Sequence, residues 1–185
     1  MPLTQIDEKS ALVVIDLQAG IVGRFGDAAT DVVANSAVLA AEFRKAGQTV
    51  VLVNVSATPP GRNDVGRGPV EFGDGDIVVD SALGESADDI RVTKRAWGAF
   101  TNTGLDAKLR ERGVTQVVMT GISTSIGVES TARSAFELGY NVVVVTDAMA
   151  DSSPASHDHA VSTVFPKLGE VTSTAQIQAK LTGAA

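Results

Sequence analysis

A chain of 185 residues with 44% apolar content is long enough for one full hydrophobic core and too short to assume two, so one domain over residues 1–185 is expected. No apolar run approaches the roughly 18 residues that a membrane span needs, and a net charge of −7 argues against a broad nucleic-acid face. Zero cysteines exclude disulfides, thiolate metal sites and a cysteine nucleophile, and "MPLTQIDEKSALVVIDLQ" has neither a basic n-region nor a small-residue cleavage site, so the expected location is the cytoplasm.

Along the chain, apolar runs of four to six residues alternate with amphipathic segments, the pattern of βαβ units around a buried parallel sheet. The first run, Ala11 to Ile15, ends at Asp16. Thr30 or Asp31 can cap a helix that carries Val32, Leu39, Ala40 and Phe43 at helical spacing and stops at Gly47. Val50 to Val53 is the second strand.

From about Ser56 to Ser86 the texture changes to "SATPPGRNDVGRGPVEFGDGDIVVDSALGES". A stretch this long without strong periodicity is uncommon inside a compact domain and, when ordered, forms a lid or binding loop. It reads as an excursion over a pocket, with a loop of no role as the alternative. Asp89 to Thr93 then predicts a short strand, and Asn102 to Arg112 a helix with Leu105 and Leu109 on one face. Val117 to Thr120 and Val142 to Val145 are buried strands flanking another helix. "SHDHAVSTVF", a short strand in "GEVTS" and a helix from about Thr174 close the chain.

Parallel sheets of this kind place their ligand crevice at the carboxyl ends of the strands, near the topological switch point. The residues just past each strand are Asp16, Asn54, Lys94, Gly121 to Gly127, and Asp147. A carboxyl at the end of an apolar strand is partly desolvated, which raises its pKa unless a cation holds it ionised. Asp16 either caps the next segment or works with Lys94 as a proton-transfer pair. The turn from Gly121 to Gly127 lies between strand and helix, where backbone N–H groups can meet an anion or a developing oxyanion. Ser123, Thr124 and Ser125 can line a pocket there or cap the helix. Trp97 and Phe100, three apart after Lys94, can wall an apolar pocket or pack in the core.

Other signatures are missing. There is no G-x-x-x-x-G-K-[ST], "GISTSIG" is not G-x-G-x-x-G, and none of the three serine or threonine residues stands in a G-x-S-x-G elbow. His157 and His159 lie two apart near a predicted helix start, where their side chains diverge, so no metal and no cofactor is expected.

The blocks "LVVIDLQ", "VTKRAWGAF" and "TGISTSIGVESTARSAFELGYNVVVVTDAMAD", in that order, resemble the isochorismatase-like hydrolases over nearly the whole chain. The resemblance implies a three-layer α/β/α domain of Rossmann type, with a six-stranded parallel sheet of order 3-2-1-4-5-6, assembled as a homo-oligomer, dimer or tetramer. Most relatives are cysteine hydrolases of C–N bonds with a catalytic Asp, Lys and Cys. Asp16 matches the Asp, Lys94 the Lys, and Gly127 falls where the cysteine would stand; a non-proline cis peptide is implied near Ile122-Ser123.

Without the thiol the covalent mechanism fails. True isochorismatases resemble this chain in carrying Gly at that position, and they cleave a vinyl ether with the Asp as general acid. They carry a Tyr and a His where this chain has Ser123 and Ser125, and the zinc ligands of nicotinamidase-like relatives have no counterpart here. The expectation is therefore a non-covalent hydrolase of a small polar substrate, with Asp16, Lys94 and Gly127 at the catalytic positions. Substrate contacts are expected from Gln18, Trp97, Phe100, Ile122, Ser123, Thr124 and Ser125, with neither nucleic acid nor membrane as partner. The alternatives are a hydrolase using a serine or water in place of the thiol, and a catalytically silent binding or scaffolding protein.

Overall fold

Valine and isoleucine dominate the apolar runs, and their stiff, branched side chains suit a pleated ladder buried on both faces. The computed structural model describes residues 3–64 and 68–183, and in it these runs form β1 (Ser10–Ile15), β2 (Thr49–Val55), β3 (Ile90–Lys94), β4 (Gln116–Ile122), β5 (Asn141–Ala150) and β6 (Glu170–Thr172). Among the described residues they make one six-stranded sheet in the order β3-β2-β1-β4-β5-β6, as expected. Every adjacent pair is parallel, and Val13 of β1 lies opposite Val51 of β2 and Met119 of β4.

The helices are α1 (Ala19–Phe25), α2 (Asp27–Lys45), α3 (Leu105–Glu111), α4 (Glu129–Glu137), α5 (Pro154–His159), α6 (Phe165–Leu168) and α7 (Thr174–Thr182). Strand side chains alternate between faces with a period of two. Val13, Ile15, Val51 and Val53 pack with Leu105, Leu109, Ala132 and Phe165, so α3, α4 and α6 cover that face. Leu12, Val14, Leu52 and Val143 pack with Val32, Leu39, Phe43 and Ile177, so α2 and α7 cover the other. Three layers result. Each large side chain taken fully out of water contributes about 1.5–3 kcal/mol, an upper bound because unfolded chains already bury some surface.

Several boundaries differ from the sequence reading. α1 was not anticipated, because it carries no fully buried residue; Ile21, Val22 and Phe25 are only partly covered by the core. α2 begins at Asp27 rather than at Thr30 or Asp31, directly after Gly26, whose φ of 54° separates it from α1. α3 starts at Leu105 rather than Asn102, since Asn102 and Gly104 have φ of 55° and 71°, outside the helical region. β3 runs to Lys94. β5 continues past Val145 to Ala150, with a register shift against β4 between Met119 and Gly121.

The 56–86 excursion is tied down by backbone hydrogen bonds. Thr58 N donates to Val70 O at 2.9 Å and Phe72 N to Ser56 O at 2.9 Å, while Asp80 N reaches Leu17 O at 2.9 Å. Arg44 of α2 clamps its far end, donating to Leu83 O at 2.9 Å and to both carboxylate oxygens of Asp89 at 3.1 and 2.8 Å. Residues 65–67 of the excursion lie outside the described residues.

Candidate active site

Three strand ends converge at the switch point between β1 and β4. Asp16 follows β1 with its N–H donating to Val53 O at 2.9 Å and a φ of 56°, a left-handed conformation uncommon for a residue other than glycine. Lys94 is the last residue of β3. Its Nζ lies 2.7 Å from Asp16 Oδ2, with the two side chains only 2% and 5% exposed. Lys94 Nζ also donates to Ala96 O at 3.1 Å. Asp16 Oδ1 is buried without a hydrogen-bond partner, an arrangement that calls for a physical reason.

Burial pushes the Asp16 carboxyl up from 3.8 to about 6, against the charge and hydrogen bond of Lys94, which pull it down. Desolvation penalises the carboxylate more than the ammonium rescues it. A carboxyl in this range can hold or release a proton near neutrality.

β4 delivers the third component. Ile122–Ser123 is a cis peptide, where the resemblance implied one, and a single π-helical turn follows over Thr124–Val128. Ser123 O accepts from Ile126 N at 3.2 Å and Val128 N at 3.1 Å. Ser125 donates twice to Asp151 Oδ2, from its N–H at 2.8 Å and its hydroxyl at 2.7 Å. Thr124 Oγ1 pairs with His157 Nδ1 at 2.9 Å, and Thr131 Oγ1 donates to Gly127 O at 2.7 Å. A Cβ on Gly127 would stand 3.2 Å from Asp16 Oδ2 and 3.1 Å from Ile15 Cγ2, so any side chain there starts against the carboxylate.

Asp16, Lys94, Gly127, Trp97, Ile122 and Ser123 line a cavity of about 140 Å³. That is room for about five waters, at the roughly 30 Å³ each occupies in the liquid. A wider vestibule of about 560 Å³ shares Thr58, Phe72, Trp97 and Ile126 with it. The excursion thus supplies part of the wall, as Thr58, Val70 and Phe72.

Six of the expected site residues therefore meet at one cavity, and four do not line it. Gln18 is fully buried and spent on backbone: its Oε1 accepts from Val55 N at 2.7 Å, and its Nε2 donates to Val55 O at 3.0 Å and Asp76 O at 3.1 Å. Phe100 stacks on Tyr140 with ring centroids 5.9 Å apart, the packing alternative. Thr124 and Ser125 are engaged by His157 and Asp151. Of the other strand-end residues, Asn54 donates to Ile77 O at 2.8 Å and Asp147 caps α7 through Thr174 N at 2.8 Å. Sequence reasoning did not single out Ile126, Thr58, Phe72 or Asp151. Ile126 and Asp151 carried a signal as members of the third quoted block, and Thr58 and Phe72 only as members of the 56–86 excursion.

The isochorismatase-domain family model matches residues 10–176. An uncharacterized isochorismatase family protein of Bacillus subtilis (strain 168), YwoC, is 42% identical over 178 residues, spanning 90% of this chain and 91% of that protein. The structure of an isochorismatase family protein from Burkholderia thailandensis is similar with a TM-score of 0.89 and 42% identity, over 96% of this chain and 98% of that one. The crystal structure of N-carbamoylsarcosine amidase from Thermoplasma acidophilum is similar with a TM-score of 0.74 and 32% identity, over 90% of this chain and 96% of that one.

Proposed function

The chain belongs to the isochorismatase family of hydrolases, and from that premise we propose that it hydrolyses a small polar substrate by proton transfer and an activated water, with no covalent enzyme intermediate. The observation that carries this reading is the buried Asp16–Lys94 pair at 2.7 Å beside Gly127, where burial pushes the Asp16 carboxyl up to about 6.

In vinyl-ether cleavage, the finer form of the reading, the Asp16 carboxylic acid gives its proton to the terminal enol-ether carbon. The C=C electron pair forms the new C–H bond and leaves an oxocarbenium ion. Water adds to the cationic carbon and returns a proton to the Asp16 carboxylate, and the hemiketal collapses to a ketone and an alcohol. One water is consumed. Lys94 tempers the rise in the Asp16 pKa and balances the carboxylate once the proton has left. Gly127 leaves the space in which substrate meets Oδ2.

A second reading, amide hydrolysis by a water for which Asp16 is the base, is supported by the 32% identity to the N-carbamoylsarcosine amidase. Ser123 is the serine that lines the cavity and is the hydroxyl such a mechanism would recruit. The same proposal keeps the protein cytoplasmic and homo-oligomeric, and sedimentation of the purified chain tests the oligomeric state.

The deciding experiment is pyruvate release from isochorismate, run beside Asp16→Asn. Turnover that vanishes in the variant supports vinyl-ether hydrolysis with Asp16 as acid. No turnover by the wild type moves the search to amides and raises a silent binding protein in its place.

A further inference from the structure

A second cavity, of about 400 Å³, lies at the opposite end of the sheet, where β1 and β2 begin and the loops into β3 and β4 pass. At about 3.3 Å per residue, the six residues of β1 put it roughly 20 Å from Asp16. Its frame is braced. Gln48, in the turn after α2, accepts from Ser10 N at 3.0 Å and donates to Glu8 O at 3.1 Å, which fixes the entry into β1. Arg44 is consumed by Asp89 and Leu83 O, and Arg112 Nη2 donates to Asp88 O at 3.0 Å.

What remains unspent in the wall is mostly donor. The hydroxyl of Ser10, a residue 1% exposed, is buried without a hydrogen-bond partner. Ser10 shares a face of β1 with Leu12 and Val14, toward α2 and its Arg44. Neither Lys9 nor Arg112 has an ion pair with any described residue. Among the described residues that line the cavity, three cations stand against two carboxylates in a chain of net charge −7, and the carboxylate without an ion pair is Asp88. None of these lining residues is aromatic, so a flat ring has nothing to stack on. A buried hydroxyl is costly unless something meets it. Ammonium, guanidinium fork and hydroxyl together suit an oxyanion, and a carboxylate beside them can accept hydroxyl hydrogens from the body that carries it.

We infer that this cavity is a second binding site, separate from the Asp16 centre, for a small oxyanion on a hydroxylated, non-aromatic body, of the polyol-phosphate or hydroxy-acid kind. Lys9 and Arg112 hold the oxyanion, the Ser10 hydroxyl donates to it, and Asp88 accepts from a ligand hydroxyl. A volume of about 400 Å³ falls within the roughly 300–1,000 Å³ of small-molecule sites.

Titration calorimetry with glycerol 3-phosphate, glycerate and glycerol, at one low ionic strength, tests this, because the three share hydroxyls and differ in the oxyanion. At least one anion should bind more than about tenfold tighter than glycerol, and the tighter of the two tells a phosphate from a carboxylate. Lys9→Gln/Arg112→Gln should weaken that binding by about tenfold or more. Both residues are exposed, and a melting curve of the variant verifies its fold. Ser10→Ala should weaken it about fivefold, yet leave the melting temperature of the unliganded protein unchanged or higher, because the hydroxyl satisfies nothing in the fold. Lys94→Met should bind as the wild type does. Anions no tighter than glycerol, a preference that survives Lys9→Gln/Arg112→Gln, or one that vanishes in Lys94→Met would each overturn the inference, the last by placing the anion at the candidate active site. A Ser10→Ala protein that melts lower and binds normally would overturn the assignment of Ser10 to the site.

Discussion

The Asp16 carboxyl is pulled two ways, up by burial and down by an ammonium 2.7 Å away, and the net value of about 6 decides which chemistry it can perform. As a general acid it must hold its proton, so kcat/KM should fall as pH rises through about 6. As a general base it must have lost the proton, and the same limb should rise. Lys94→Met sharpens the distinction. Removing the ammonium takes away the influence that lowers the Asp16 pKa, so the limb should move to higher pH. A pH profile of Lys94→Met superimposable on the wild type would show that the titrating group is another residue. Asp16 and Lys94 were legible from the sequence because each stands at the end of a strand, the first a continuous apolar run and the second an alternating one. Gln18, equally polar and equally near, was not separable from them, since only the path of β2 shows that its amide is consumed by Val55.

Strands and turns in this protein depend on a few positions where backbone approaches backbone. Gly121 has a φ of 125°, and a Cβ there would fall 2.0 Å from Ile15 O and 2.7 Å from Ile15 N. No rotamer change relieves that contact, because both atoms belong to the backbone of the neighbouring strand. Gly121→Ala should therefore cost about 3 kcal/mol or more in urea unfolding, and should disturb the Asp16 turn that follows Ile15 directly. A variant within about 0.5 kcal/mol of the wild type would show that β1 and β4 can part without penalty. The opposite case is α1. Its lack of a fully buried stripe left no periodic signal, so the element was invisible in the sequence. The excursion was legible as an excursion, from its broken periodicity, and its bonds to Leu17 and Ser56 appear only in three dimensions.

Across the whole molecule the buried pair should leave a mark on stability. The folded protein holds the Asp16 proton more tightly than the unfolded chain, with a pKa of about 6 against 3.8. Its contribution is fully present below 3.8 and is lost as pH rises through about 6. Asp7 acts in the other direction. Burial raises its pKa, but hydrogen bonds from Asn141, Gln5 and Thr115 together outweigh this and hold it below the ordinary value, so its contribution is lost as pH falls. Comparison with Asp16→Asn isolates the first effect: the stability of the wild type relative to the variant should decline from pH 3.8 to about 6. A difference that stays constant over that window would show that the fold does not bias the Asp16 proton.

The layering was written in the alternation of short valine-rich runs with amphipathic segments, because burial on both faces of a sheet demands continuous apolar residues, whereas the strand order was implied by the resemblance that the three quoted blocks carry. The same blocks marked Asp16, Lys94 and the glycine that replaces a thiol. Tertiary structure alone decided which polar residues face the cavity. Ser123 lines it while Ser125, two residues on, is turned to Asp151, and Trp97 lines it while Phe100 stacks on Tyr140. It alone also brought Lys9 and Arg112, 103 positions apart in the chain, to one cavity. A hydrogen bond or a shared wall depends on where distant backbone passes, and a local pattern carries no record of that.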